Sequence, residues 1–375
     1  MRIGFVDLIK LISAFIVCFY HFFNVVSPNP YFPLGDLTVE LFVLIAGIFL
    51  FSGAEKQRTL PQGMQSPYAF LKKRFFRFFP YAILGFLFAL AVKIHITTVQ
   101  GKAFDGEILG KWLSDGIWDV LMIKMNGMND NQALLNVPAW TLSSMLIAEF
   151  LAYACLYNHK KSFETVIVPA SIIIGLGIWR HIPDASHQLW LGFTTFGLLR
   201  VWILYCLSWY CYKLVVHFKS LSLSKAGRIT VTVGEFVCYL TALLIIMNET
   251  SRNYRWIATL LLFLAVAVSI SGKSVTARFI RNKKVITWMG EMSMGVYMAH
   301  YPVMQLFRHW YPGEQVLAHF LPFLIAVIVS SVLFALLLRL SIGLCKKIHL
   351  WIRSRLIAEK TESIPAKTEE GAATK

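Results

Sequence analysis

Three ionisable residues interrupt the first apolar run of this 375-residue chain: Asp7, Lys10 and His21. An ionisable group inside a membrane helix is costly, so it usually faces the protein interior or a cavity. Lys10 and His21 are 11 residues apart, close to three full turns at 3.6 residues per turn. Both side chains therefore leave the same helix face, about 16 Å apart along the axis. Asp7 lies one turn before Lys10 and can pair with it. A structural reading makes Asp7 and Lys10 an interhelical salt bridge and His21 a hydrogen-bonded core histidine. The chemical reading is a reaction path along one face. A cation near one membrane surface would hold an anionic donor, and a neutral imidazole deeper in would act as base.

The elements that must carry this stripe follow from composition. Hydrophobic residues make up 57% of the chain and charged residues only 15%, where a soluble domain carries about a quarter charged. The mean hydropathy is +0.61. A soluble enzyme, a disordered chain and a secreted disulfide scaffold are excluded, and an all-α polytopic membrane protein is expected. Ten candidate spans lie near 4–27, 36–54, 79–98, 139–157, 164–181, 189–212, 230–248, 255–272, 288–308 and 316–343. The first is too long for a signal-peptide core and reads as a retained helix. The six cysteines are scattered and form no CxxC pair, so neither a disulfide framework nor a metal site is expected.

The formal charge of +16 arises between the spans, so it reports topology and not nucleic-acid binding. Loops on one side, with both termini, hold 25 of the 36 Lys and Arg, including Lys72, Lys73, Arg74, Arg77, Lys283 and Lys284. The positive-inside rule places that side, and both termini, in the cytoplasm of a multi-pass inner or plasma-membrane protein. The loop from about 99 to 138, with Trp112 and Trp118, suits an interfacial helix. Residues 1–345 form the expected transmembrane domain, and 346–375 a basic cytoplasmic tail, mostly disordered. No internal repeat is visible.

Five stretches, in order over about 300 residues, resemble the integral-membrane acyltransferase-3 family, which O-acylates cell-surface polysaccharides and related acceptors. Asp7 to His21 keeps the family's Asp-x-x-Arg spacing and its following His, with Lys10 for the Arg. Lys is a point charge and cannot bind phosphate bidentately as Arg does. Val39 to Ile48 is similar to the family's second-span stretch, with Ala46 where Ser is usual. Lys72 to Pro80 resembles its basic lead into the third span, and Pro138 to Met145 its Trp-x-Leu stretch. Many members have Glu where Met145 stands; Glu149 offers a carboxylate one turn on. Gly290 to Val303 resembles its Ser-x-x-x-Tyr-x-x-His-x-Pro stretch, through Ser293, Tyr297 and His300.

The resemblance implies transfer of an acyl group, with acetyl favoured, from cytosolic acyl-CoA to a hydroxyl of a glycan or glycolipid at the outer face. CoA phosphates would sit near Lys10, Arg74 and Arg77, and the Lys10–His21 separation is comparable to the reach of an extended pantetheine arm. His21 would be the general base, with a covalent acyl-His21 as the alternative. The oxyanion needs a donor, for which Trp140, Ser143, Tyr297 and His300 are candidates. Arg74 and Arg77 could equally anchor the chain on anionic lipid, and Trp140 could be an interfacial belt residue. Glu40, with Asp36, could line the acceptor side. Membrane lipid is a further expected partner, nucleic acid is not, and an oligomer is left open. Two other functions compete: an exporter or flippase of a saccharide or lipid-linked intermediate, and a membrane sensor module. Paired Gly/Pro-broken helices, a transporter hallmark, are missing from the sequence.

Overall fold

In lipid every backbone polar group must be satisfied within the protein, which drives apolar segments into helix. The computed structural model describes residues 3–25, 31–101, 105–127, 135–181, 189–190, 194–280 and 282–362. Among the described residues twelve α-helices follow one another: α1 Gly4–Phe23, α2 Thr38–Arg58, α3 Pro67–Val99, α4 Gly106–Val120, α5 Trp140–Asn158, the single turn α6 Lys160–Ser162, α7 Val168–His181, α8 Phe196–Ser220, α9 Lys225–Ile246, α10 Arg255–Ser271, α11 Lys283–Trp310 and α12 Phe320–Glu362. Among the described residues the only sheet is a two-stranded antiparallel ribbon, Leu189–Trp190 with Thr194–Thr195.

Seven helical stretches among the described residues are long and apolar enough to cross a membrane, those of α1, α2, α3, α5, α8, α9 and α12. The other three expected spans also fold as helices but differ from a simple span. α7 has 14 residues and α10 has 17. α11 is long but carries Lys283, Lys284, Glu291 and Arg308. The expected helix in the 99–138 loop is α4. It starts on an Asp105 cap whose carboxylate accepts from the Ile108 amide at 2.8 Å. α12 continues to Glu362, past the boundary placed at 345, and residues 363–375 lie outside the described residues.

Local signals set the ends that matter for the site. α3 begins at Ser66–Pro67, where proline has no amide to lose and the serine oxygen accepts from Ala69 at 3.3 Å. α11 begins on Asn282, whose side chain accepts from the Lys284 amide at 3.0 Å. α1 packs most extensively against α11. Asp7 approaches Gly290, and His21 stacks on His300, so the two helices run in the same direction. On its other side α11 meets α12 closely. A Cβ on Gly295 would sit 2.7 Å from the Ser331 carbonyl oxygen, so any larger residue would push the helices apart.

Candidate functional site

A cavity of about 620 Å3 opens among α1, α2, α3, α5 and α11. Along α2 its wall runs from Gln57 to Val39, with Gly53, Phe49, Ala46 and Phe42 between. Eighteen residues of helix rise about 27 Å. One end is cationic, with Lys10 on α1 and Lys73, Arg74 and Arg77 on α3. The middle is apolar. The far end holds Tyr297 of α11 and Thr141 of α5, whose hydroxyls are 3.0 Å apart.

Seven of the residues singled out from sequence line this cavity: Asp7, Lys10, Arg74, Arg77, Glu149, Ser293 and Tyr297. The Lys10 ammonium donates to Asp7 at 2.6 Å, one turn away as expected. The Arg74 guanidinium is paired with Glu149 at 2.9 Å, and the Tyr205 hydroxyl donates to the other Glu149 oxygen at 2.7 Å. Glu149 is fully buried. Its carboxylate therefore compensates Arg74 and fixes it at the wall, a role that sequence left unassigned. Arg77 and Lys73 are the more exposed cations of this end.

His21 does not line the cavity. It lies just past the far end, through α11. The Tyr297 and His300 rings are 6.1 Å apart, and the His300 and His21 rings stack at 5.3 Å. His300 is completely buried. Its Nδ1 lies 2.9 Å from the Val296 carbonyl oxygen, which can only accept, so Nδ1 carries the proton. Nε2 is then a bare lone pair, and no hydrogen bond reaches it. As an oxyanion donor His300 is therefore spent. As a proton acceptor beside His21 it is open.

Of the other expected site residues, Trp140 and Ser143 are buried in the packing of α5. The Ser143 oxygen accepts from the Met125 amide at 3.1 Å and tethers the turn at Lys124–Asn126. Glu40 is fully buried, away from the cavity. Arg200 donates to it at 2.9 Å and to Asp36 at 3.0 Å; Arg255 also pairs with Asp36, and the Thr259 hydroxyl donates to Glu40. This network staples α2 to α8 and α10, and neither Asp36 nor Glu40 lines the long cavity.

Three site residues were not found from sequence. Thr141 is adjacent to Trp140 in a quoted stretch, but its partner Tyr297 is 156 residues away. Asn136 compensates the helix break at Pro302. Proline has no amide to offer the carbonyl four residues back, that of Met298. The Asn136 amide donates to that oxygen at 2.9 Å and to the Gly85 carbonyl at 3.4 Å. Arg308 donates to the His21 carbonyl at 2.8 Å and ties the ends of α1 and α11. The proline inside a helical pattern was the one available signal for Asn136.

The chain was compared with known proteins. A family model described as an acyltransferase domain, Acyl_transf_3, matches residues 3–340, nearly the whole length. No curated protein and no solved structure matches the chain.

Proposed function

The chain belongs to the acyltransferase-3 family of membrane acyltransferases, and from that premise we propose that it moves an acyl group, acetyl in the first instance, from cytosolic acyl-CoA to a hydroxyl of a surface or exported glycan or glycolipid. The observation that carries this reading is the long cavity with a cationic end, apolar walls and two stacked histidines beyond its far end. In this reading both termini are cytoplasmic, as the distribution of Lys and Arg favours. CoA phosphates pair with Lys73, Arg77 and Lys10 at the cytoplasmic end. Diphosphate and ammonium or guanidinium make charge-assisted hydrogen bonds of the strong class. The pantetheine arm, apolar for much of its length, lies along Ala46 and Phe42. Its thioester arrives near Tyr297; the Thr141 hydroxyl donates to the Pro138 carbonyl at 2.9 Å and so accepts from Tyr297, whose proton can turn to the developing oxyanion.

His21 then takes the proton of the acceptor hydroxyl as that oxygen attacks the thioester carbon. The C–S bond breaks, the thiolate of CoA leaves, and it recovers the proton from the imidazole. The bare Nε2 of His300 gives the same pair a second proton acceptor.

The test is acyl transfer from labelled acetyl-CoA in inverted membrane vesicles, wild type against His21→Ala at matched expression. Label on a lumenal acceptor or on the protein, lost in the variant, is the expected result. Acid-resistant label on the protein itself would favour a covalent acyl-histidine over the general base. Vesicles that consume no acetyl-CoA, from cells whose surface-glycan export depends on this protein, would replace the enzyme with an exporter.

A further inference from the structure

A second cavity, of about 510 Å3, lies between the ends of α3 and α11 that point away from the cationic mouth. Its walls are Lys93 and Ile96 from α3, Gln100 at the C-terminal cap of α3, Gln305, Arg308 and His309 from α11, and Leu135 and Pro312. The side chains that could bind are basic or amide. Among the described residues no carboxylate lines it. Asp115 of α4 acts electrostatically on Lys93 but stands outside the lining. Lys93 is held over the ring of Trp112 with its ammonium 4.7 Å from the centroid, so the cation is fixed at the wall. Gln100 and His309 are joined at 3.3 Å. Arg308 connects this cavity to the histidines, because the guanidinium that lines it also donates to the His21 carbonyl at 2.8 Å. Its Nε has no hydrogen bond and is sealed from solvent.

We propose that this cavity is the vestibule through which the acceptor reaches His21, and that it selects a polyhydroxylated acceptor bearing an anionic group, a carboxylate or a phosphate. The inference rests on the acyltransferase reading for the reaction but not for the binding. Lys93 and Arg308 offer charged donors to the anion, with His309 a third partner when protonated. Gln100 and Gln305 offer both donors and acceptors, the pattern that sugar hydroxyls match. The two cavities approach the histidine pair from opposite ends of α11, Tyr297 on one side and Arg308 on the other. Donor and acceptor would thus approach the histidine pair from its two sides, Tyr297 and Arg308, without sharing an entrance.

The test has a binding arm and a transfer arm. In the first, thermal stabilisation of the full-length protein in nanodiscs is measured with galactose, galacturonate and galactose 1-phosphate, for wild type, Lys93→Gln and Lys93→Arg. The proposal predicts about tenfold tighter binding of at least one anionic sugar than of galactose, the size of one charge-assisted hydrogen bond. Lys93→Gln should remove that preference and Lys93→Arg restore it. The better of galacturonate and galactose 1-phosphate identifies the anion as carboxylate or phosphate. Equal binding of all three sugars, no binding, or stabilisation only by phosphatidylglycerol in the disc would overturn the vestibule. In the second arm, labelled envelope material from cells is separated by anion exchange. Label should sit on the retained, anionic fraction and fall about tenfold in Lys93→Gln while CoA binding is unchanged. Label on the neutral fraction would also overturn the proposal. A wild type that transfers no acyl group, yet still binds the anionic sugar through Lys93, would remove the acyltransferase reading and leave the binding site standing.

Discussion

Two groups of ionisable residues stand in the same helical bundle and differ in burial and in what their partners leave open. Around Glu40 both carboxylate oxygens are taken, one by Arg200 and one by Thr259, and Arg200 is shared with Asp36. Around the long cavity the pairing is incomplete. Arg74 is compensated by Glu149, but Lys73 is exposed to the cavity, and among the described residues no hydrogen bond reaches His300 Nε2. An intramembrane charge alone does not separate structure from function. Glu40, with both oxygens held, is a staple even though Asp36 Oδ1 in the same network has no hydrogen bond, so an open valence marks a site only where a cavity lies beside it.

That contrast can be broken by substitution. His21→Ala should lower acyl transfer by about 100- to 10,000-fold, the usual contribution of a general base, with little change in melting temperature. Activity in vesicles and a thermal scan of the purified variant check both halves. Arg200→Ala should do the reverse. It leaves buried Glu40 and half-buried Asp36 with fewer partners, at a cost of about 3–5 kcal/mol, so the yield of folded protein in size-exclusion chromatography should collapse. A folded, inactive Arg200→Ala protein would move that network into the site.

Asn136→Ala lies between these extremes. It exposes the Met298 carbonyl that Pro302 cannot satisfy, at about 1–3 kcal/mol, and a lower thermal midpoint with retained, weakened transfer is expected. Lys73→Gln and Arg77→Gln should be milder still. Each should raise the KM for acetyl-CoA by about three- to tenfold, the range of one partly solvated charge-assisted contact, with kcat nearly unchanged.

The smallest effect concerns Asp119, outside the spans. Burial raises its carboxyl to about 6, against the opposing pull of Lys124 at 3.6 Å. The folded protein therefore holds this proton more tightly than the unfolded chain. Stability contributed by Asp119 is full below the ordinary aspartate value of about 3.9 and is lost as pH rises to about 6. The melting temperature should fall across that window in wild type, and Asp119→Asn should flatten the slope.

The parts legible in the sequence are those set by local period. The Asp7–Lys10 pair follows from one helical turn, and the basic lead into α3 from the charge run Lys72–Arg77. Each of the ten apolar segments contains a helix, although the one expected from 189 opens on the two-stranded ribbon and is helical only from Phe196; seven have the length and hydropathy of a simple span among the described residues. The pairings that define the site were not legible. Arg74 with Glu149, Thr141 with Tyr297 and His21 with His300 join helices far apart in the chain. Spacing gives the face on which a residue sits but not which helix it meets. Glu40 shows the cost: one charge in an apolar run reads as a site until its partners are known.

The most direct test of the central claim is to narrow the long cavity in its middle. Ala46 lines it and is half-buried, so Ala46→Phe places a ring across the path between the cationic end and Tyr297. The measurement is acyl transfer from labelled acetyl-CoA, alongside calorimetric binding of adenosine 3′,5′-diphosphate, the phosphate-bearing half of the donor. Loss of transfer with diphosphate binding retained is the predicted result. Undiminished transfer in a folded Ala46→Phe protein would mean that the acyl arm does not travel this path.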